Sequence, residues 1–235
     1  MKEICDIQFI YKCNSAMPSV ENVMLAAYSY NVSYYSGELF QQFGISFPDF
    51  IKSSVIKRQA EYLAGRYAAR SVLESKGFNM CNVGTGINRS PVWPQGISAS
   101  ITHTDTRAIC AASDKTVYKY LGIDLEKRLT SKCIADIKYS IINLQEERLL
   151  LTSELCFEDA FSLTFSAKES LFKALHPTVG AYFDFSAAQI TSICCNTNTF
   201  TVTLSADLSP ELTAGQEYVG TFSFDNTDVF TMIAQ

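Results

Sequence analysis

Phe165-Ser-Ala-Lys-Glu-Ser-Leu-Phe-Lys-Ala174 is a short helical run with two lysines and a carboxylate on a mostly apolar ground. Glu169 and Lys173 are four apart, so a helix stacks them one turn above each other on one face. A base or metal ligand and a proton donor then point into the same space. Gly122-Ile-Asp-Leu-Glu126 adds two more carboxylates. Asp124 and Glu126 are two apart, so a strand turns both to one side. The spacing suggests that the two stretches meet around one divalent cation.

Each carboxylate also has a plain structural reading. Ser166-Ala-Lys-Glu169 fits a capping box, in which Glu169 only bonds the start of a helix. Asp124 and Glu126 fit the wet face of an edge strand. The flanks favour the chemical reading. Gly122, Ile123 and Leu125 make a short strand of buried character, and carboxylates on such a strand need partners or a metal. All-oxygen ligands suit Mg²⁺, which keeps water and phosphate in its shell.

With 235 residues the chain can bury a full core, as one large domain or two small lobes. Nearly half the residues are apolar and under a fifth are charged, which is a globular composition. A net charge of −5 argues against non-specific nucleic-acid binding. No apolar run is long enough to span a bilayer, and Met1 to Ile7 carries no signal-peptide core, so a cytoplasmic protein is expected. None of the eight cysteines forms a Cys-x-x-Cys pair, so a zinc site has little support and reduced thiols are expected.

Residues 5–12 read as a strand, and Val23 to Tyr28 as a second. From Ser54 to Lys76 the period changes. Ala60, Leu63, Ala64, Tyr67 and Ala68 recur at three and four, which makes an amphipathic helix, with Gly77 as its stop. That helix carries Arg58, Arg66 and Arg70, either a solvated basic face or a set of phosphate clamps. Asn88 to Gly96 is a rigid loop whose Trp93 plugs a core and whose Arg89 faces ligand or solvent. Ile97 to His103 reads as a strand that ends in a histidine among hydroxyls, where ligands often bind. Residues 107–113 and 117–126 read as two strands joined by a turn. Asn143-Leu-Gln-Glu146 is a capping box, 157–164 and 166–176 are two helices, and His176 is structural. Residues 200–204, 218–224 and 229–234 are strands, the last two joined by a hairpin turn.

Five blocks now stand in order: Lys57-Arg-Gln-Ala-Glu-Tyr-Leu-Ala-Gly-Arg66, Pro91-Val-Trp-Pro-Gln-Gly96, Ser100-Ile-Thr-His-Thr104, Gly122-Ile-Asp-Leu-Glu126 and Phe165-Ser-Ala-Lys-Glu-Ser170. Together they resemble the 4′-phosphopantetheinyl transferases, in particular the two-lobed enterobactin-synthase class. Ala99 departs from the glycine common before the histidine block. The resemblance implies an α+β fold of two similar lobes, residues 1–118 and 119–235. Each would be a small, mostly antiparallel sheet with packed helices, and a ligand cleft would lie between them. It implies transfer of the 4′-phosphopantetheine arm of coenzyme A to a serine of an acyl or peptidyl carrier protein, with release of 3′,5′-ADP. Asp124, Glu126 and Glu169 would hold Mg²⁺. Glu169 or a water would take the serine proton, and Lys173 would assist the leaving phosphate. Arg58, Arg66, His103 and Lys168 would grip coenzyme A phosphates, with Thr102 nearby and Arg89 in support. By class the carrier would belong to a siderophore synthetase, with a polyketide or polyunsaturated-fatty-acid synthase as the alternative, and the enzyme would be a monomer. A magnesium-dependent phosphohydrolase and a non-catalytic coenzyme A binding module are the rival readings.

Overall fold

The structure is a computed structural model and describes residues 8–13, 17–79, 82–86 and 89–235. It divides into two compact units, Met1–Ala16 with Asn22–Asp114, and Met17–Glu21 with Lys115–Gln235. Among the described residues no helix is long and apolar enough to cross a membrane.

The first unit holds strands β1 (Ile10–Lys12) and β2 (Met24–Tyr30) and the short helices α1 (Leu39–Gln42) and α2 (Asp49–Lys52). The long helix α3 (Ile56–Ser75) follows, then the two-residue strands β3 (Gly84–Thr85) and β4 (Pro91–Val92), then β5 (Ile97–His103) and β6 (Arg107–Asp114). Four of the strands make an antiparallel sheet in the order β1-β2-β6-β5. Of the strand expected at 5–12, residues 10–12 form β1, and residues 5–7 lie outside the described ones.

Helix α3 forms where its period demands. Ala60, Leu63, Ala64 and Ala68 are fully buried. The alanines let the helix approach the sheet closely; a Cβ on Gly65 would stand 3.1 Å from Ile101 Cγ2. Burying Leu63 alone contributes about 2 kcal/mol. Trp93 packs partly buried against the core cluster that contains Val72, Leu73 and Ile97, as its apolar bulk predicts.

The second unit begins with β7 (Leu121–Lys127), followed by α4 (Ser131–Ile141), α5 (Leu144–Thr152) and α6 (Phe157–Val179). Strands β8 (Ala188–Cys194), β9 (Thr199–Leu204), β10 (Glu217–Phe224) and β11 (Asp228–Ala234) complete it. They form an antiparallel sheet in the order β7-β11-β10-β9-β8, with α6 packed against it. Each unit is therefore an antiparallel sheet with one long helix laid on it.

Three local readings change. Residues 157–179 are one helix, not two. Ser162 and Thr164 return their hydroxyls to the carbonyls of Glu158 and Ala160, four residues back, instead of breaking the helix. Ser166 turns its hydroxyl to Asp124 and Thr231, so no capping box forms and Glu169 sits mid-helix. The strands at 107–113 and 117–126 are not a hairpin: β6 pairs with β2 and β5, whereas β7 starts at Leu121 and pairs with β11. Helix α4 was not expected, although Ile134, Ile137 and Ile141 recur at three and four and Thr130 caps its start. The capping box at Asn143 and Glu146 forms as read, and Gly180 ends α6 in the left-handed region at φ 69°.

Candidate functional site

In the second unit, Gly122 decides how close α6 comes to β7. A Cβ there would stand 2.0 Å from Ser170 O and 2.6 Å from Ala174 N, so only glycine admits the helix backbone. That contact brings Glu169 and Lys173 to the strand that carries Asp124 and Glu126. Lys173 Nζ donates to Asp124 Oδ1 at 2.6 Å, and Ser166 Oγ donates to Oδ2 at 2.9 Å. Asp124 is 2% exposed.

The three carboxylates feel one another. Burial and then the charge of Asp124 push Glu126 up to about 7, with Glu169 and Asp228 adding and Lys173 opposing. Glu169 is raised by burial first and by Asp124 second, again opposed by Lys173. Among the described residues no three such donors form a ready-made ion cage; the cation beside Asp124 in this arrangement is the Lys173 ammonium.

Lys168 points elsewhere. It is 4% exposed, and its Nζ donates to Glu146 Oε1 at 2.7 Å, Ile141 O at 2.7 Å and Phe185 O at 3.1 Å. Three acceptors use its three protons, so in this arrangement Lys168, which the resemblance implied as a phosphate contact, is a strut between helices. Glu146 caps α5 with Oε2 and accepts from Ile190 N with Oε1, so one buried pair ties α4, α5, α6 and β8 together. Lys168→Met should cost about 3–5 kcal/mol, because it leaves the Glu146 carboxylate buried without its cation. A thermal melt checks this; an unchanged midpoint would refute the strut.

In the first unit, Arg58, Glu61, Tyr62 and Arg66 of α3 line a cavity of ≈ 150 Å³ with Phe50, Arg89, Pro91, Ile101 and His103. Arg58 Nη1 lies 3.1 Å from His103 Nε2. Guanidinium only donates, so Nε2 accepts and the His103 proton sits on Nδ1. Arg66 is 8% exposed, lies 4.7 Å over the Tyr62 ring, and donates to Gly84 O and Thr85 Oγ1, both at 3.3 Å. Among the described residues its buried Nε finds no hydrogen-bond partner, and burial lowers the guanidinium's pKa. Two guanidiniums lining one cavity suit an anion with several oxygens. Arg89 sits at φ 61° with its guanidinium 5.9 Å from the Phe50 ring centroid. Thr102 is buried, one step along β5 between the cavity-lining Ile101 and His103, so strand alternation turns it to the opposite face. Arg70 is spent on Glu74 and on Phe43 O.

The model of the 4′-phosphopantetheinyl transferase N-terminal domain matches residues 48–113, and that of the 4′-phosphopantetheinyl transferase superfamily matches residues 120–223. The chain belongs to the 4′-phosphopantetheinyl transferase superfamily. Within that superfamily it is 38% identical over 145 residues to enterobactin synthase component D of Salmonella typhimurium, covering 62% of this chain and 59% of the relative. It is 38% identical over 118 residues to the protein of the same name from Escherichia coli (strain K12), covering 50% and 55%. It is 30% identical over 141 residues to 4′-phosphopantetheinyl transferase Npt of Nocardia iowensis, covering 60% and 62%. The matched stretch thus spans under two thirds of each of these relatives.

For this superfamily member, motif reading found the acid cluster and the arginine cavity but missed several contributors. Tyr62 and Thr85, whose hydroxyls lie 3.0 Å apart, hold Arg66 in place. Glu61 sits 3.4 Å from Arg58. Tyr62 and Glu61 stand inside the quoted helix block, so their face was readable; Thr85 had no signal.

The crowded carboxylates set a pH dependence. Between pH 4.5 and about 7 the folded chain keeps a proton on Glu126 that the unfolded chain has lost. Rising pH therefore favours unfolding through this window and has no further effect through this group above it. With a chelator present, Glu126→Gln should melt higher than the parent at pH 8 and nearly level with it at pH 4.5. A Glu126→Gln melt no higher than the parent at pH 8 would contradict the shift.

Proposed function

We propose that this chain transfers the 4′-phosphopantetheine arm of coenzyme A to a serine of an apo carrier protein and releases 3′,5′-ADP. The supporting observation is the acid cluster of Asp124, Glu126 and Glu169 around Lys173 in a member of this superfamily. The all-oxygen donor set and the mutual repulsion that raises Glu126 fit Mg²⁺, a hard cation that relieves such crowding. When bound by Asp124, Glu126 and Glu169, Mg²⁺ supplies Lewis acidity to the diphosphate.

The residues divide the remaining work. Glu169, raised by burial, takes the proton of the incoming serine hydroxyl. The serine oxygen bonds to the β-phosphorus as its bond to the 3′,5′-ADP oxygen breaks. Lys173, one turn along the same helix face, carries positive charge where the leaving phosphate gains negative charge. Arg58, Arg66 and His103 hold coenzyme A phosphate oxygens, with Arg89 at the rim of their cavity. Lys168 holds the helices that frame Glu169.

Arg66→Ala should raise the KM for coenzyme A roughly 10–100-fold with kcat little changed, the loss of a charge-assisted contact made equally in ground and transition states. A fall in kcat at constant KM would place Arg66 elsewhere. The deciding experiment incubates the chain with coenzyme A, Mg²⁺ and an apo peptidyl carrier of siderophore type, the kind the names of the relatives suggest, and weighs the carrier. One added phosphopantetheinyl group supports transfer. A 3′,5′-ADP product with no gain on any carrier would support hydrolysis.

A further inference from the structure

The side of Asp124 turned away from Lys173 faces a row of hydroxyls. Ser166 Oγ lies 2.9 Å from Asp124 Oδ2, and Thr231 Oγ1 lies 2.9 Å from Ser166 Oγ. Ser170 Oγ lies 2.6 Å from Thr231 Oγ1 and 3.2 Å from Thr231 O. Ser166, Ser170 and Thr231 are completely buried. Ser166 and Ser170 are one turn apart on α6, and Thr231 is the cross-strand partner of Asp124.

Charge fixes the direction of this row. An ionised carboxylate only accepts, so Ser166 gives its single proton to Asp124. Thr231 must then donate to Ser166, and Ser170 to Thr231. Hydroxyls aligned toward an anion polarise one another in a low-dielectric core. Valine and alanine would fill the same space without needing partners, so packing alone does not call for three hydroxyls here.

We propose that Thr231 and Ser166 are positioning residues for the reaction. Their hydroxyls pin Asp124 Oδ2 and leave Oδ1 as the oxygen presented to Lys173 and to a divalent cation. This rests on the cation reading above, and neither residue touches substrate.

Binding of Mn²⁺, followed by the paramagnetic signal of the free ion, tests it on the full chain. Thr231→Val keeps the shape of the side chain and removes the donor. Its Mn²⁺ affinity should fall roughly 10-fold, while Thr231→Ser, which restores the hydroxyl, should stay within about twofold of the parent. The metal-free melting point of Thr231→Val need not move with the affinity. A folded Thr231→Val that binds Mn²⁺ like the parent would overturn the proposal. Should that variant not fold, Ser166→Ala replaces it, since alanine is the better helix former. Weakened Mn²⁺ binding there supports the relay, and unchanged binding overturns it. A parent chain that takes up no Mn²⁺ would instead sink the cation reading itself, a separate and distinguishable failure.

Discussion

Asp124→Asn should abolish transfer, with kcat/KM down by at least about 10³-fold, because the charge that joins strand, helix and cation is lost at one point. The fold should survive. Removing the Asp124 charge costs the 2.6 Å pair with Lys173. It also relieves the repulsion that raises Glu126 and Glu169, so the two effects oppose each other. The variant should therefore keep its circular dichroism and a melting point close to the parent's, and its Glu126 should titrate lower. Glu169→Gln tests the base role in the same assay. Full activity in Asp124→Asn would remove the site from the reaction altogether.

Gly122→Ala should fail differently, losing stability and activity together. The new methyl meets the carbonyl of Ser170 at 2.0 Å and the amide of Ala174 at 2.6 Å. Both are backbone atoms of α6, and neither can swing aside as a side-chain tip would. The helix must lift from β7, at a cost of about 3 kcal/mol or more for overpacking. For a chain of this size that lowers the melting point by roughly 10 °C. The lifted helix carries Glu169 and Lys173 away from Asp124, and a displacement of about 1 Å costs on the order of 10²-fold in rate. A Gly122→Ala protein with the parent's melting point would show that the close approach of helix and strand is not required.

Much of this was legible because it is local. The three-and-four spacing of Ala60, Leu63 and Ala64 fixes α3 and its buried face, and alternation along β7 places Asp124 and Glu126 together. The box at Asn143 and the turn at 225–228 depend on four residues each. What stayed hidden depends on distant partners. Ser166 reads as a helix cap until Thr231, 65 residues on, is beside it. The resemblance implies Lys168 as a phosphate ligand; its pair with Glu146 stayed hidden because the capping box accounts for only one of that carboxylate's oxygens, and nothing local shows where the other goes. Thr102 belongs to a motif whose neighbours line the arginine cavity, yet alternation puts it on the other face. The partners of β6 and β7 are set by which apolar faces meet, which periodicity does not encode.

The most direct test is a crystal structure of the chain with coenzyme A and Mg²⁺. We expect carboxylate oxygens of Asp124, Glu126 and Glu169 at about 2.1 Å from one octahedral ion that also holds diphosphate oxygens. An ion bound by other side chains, or coenzyme A bound with all three carboxylates turned away from its diphosphate, would contradict the mechanism.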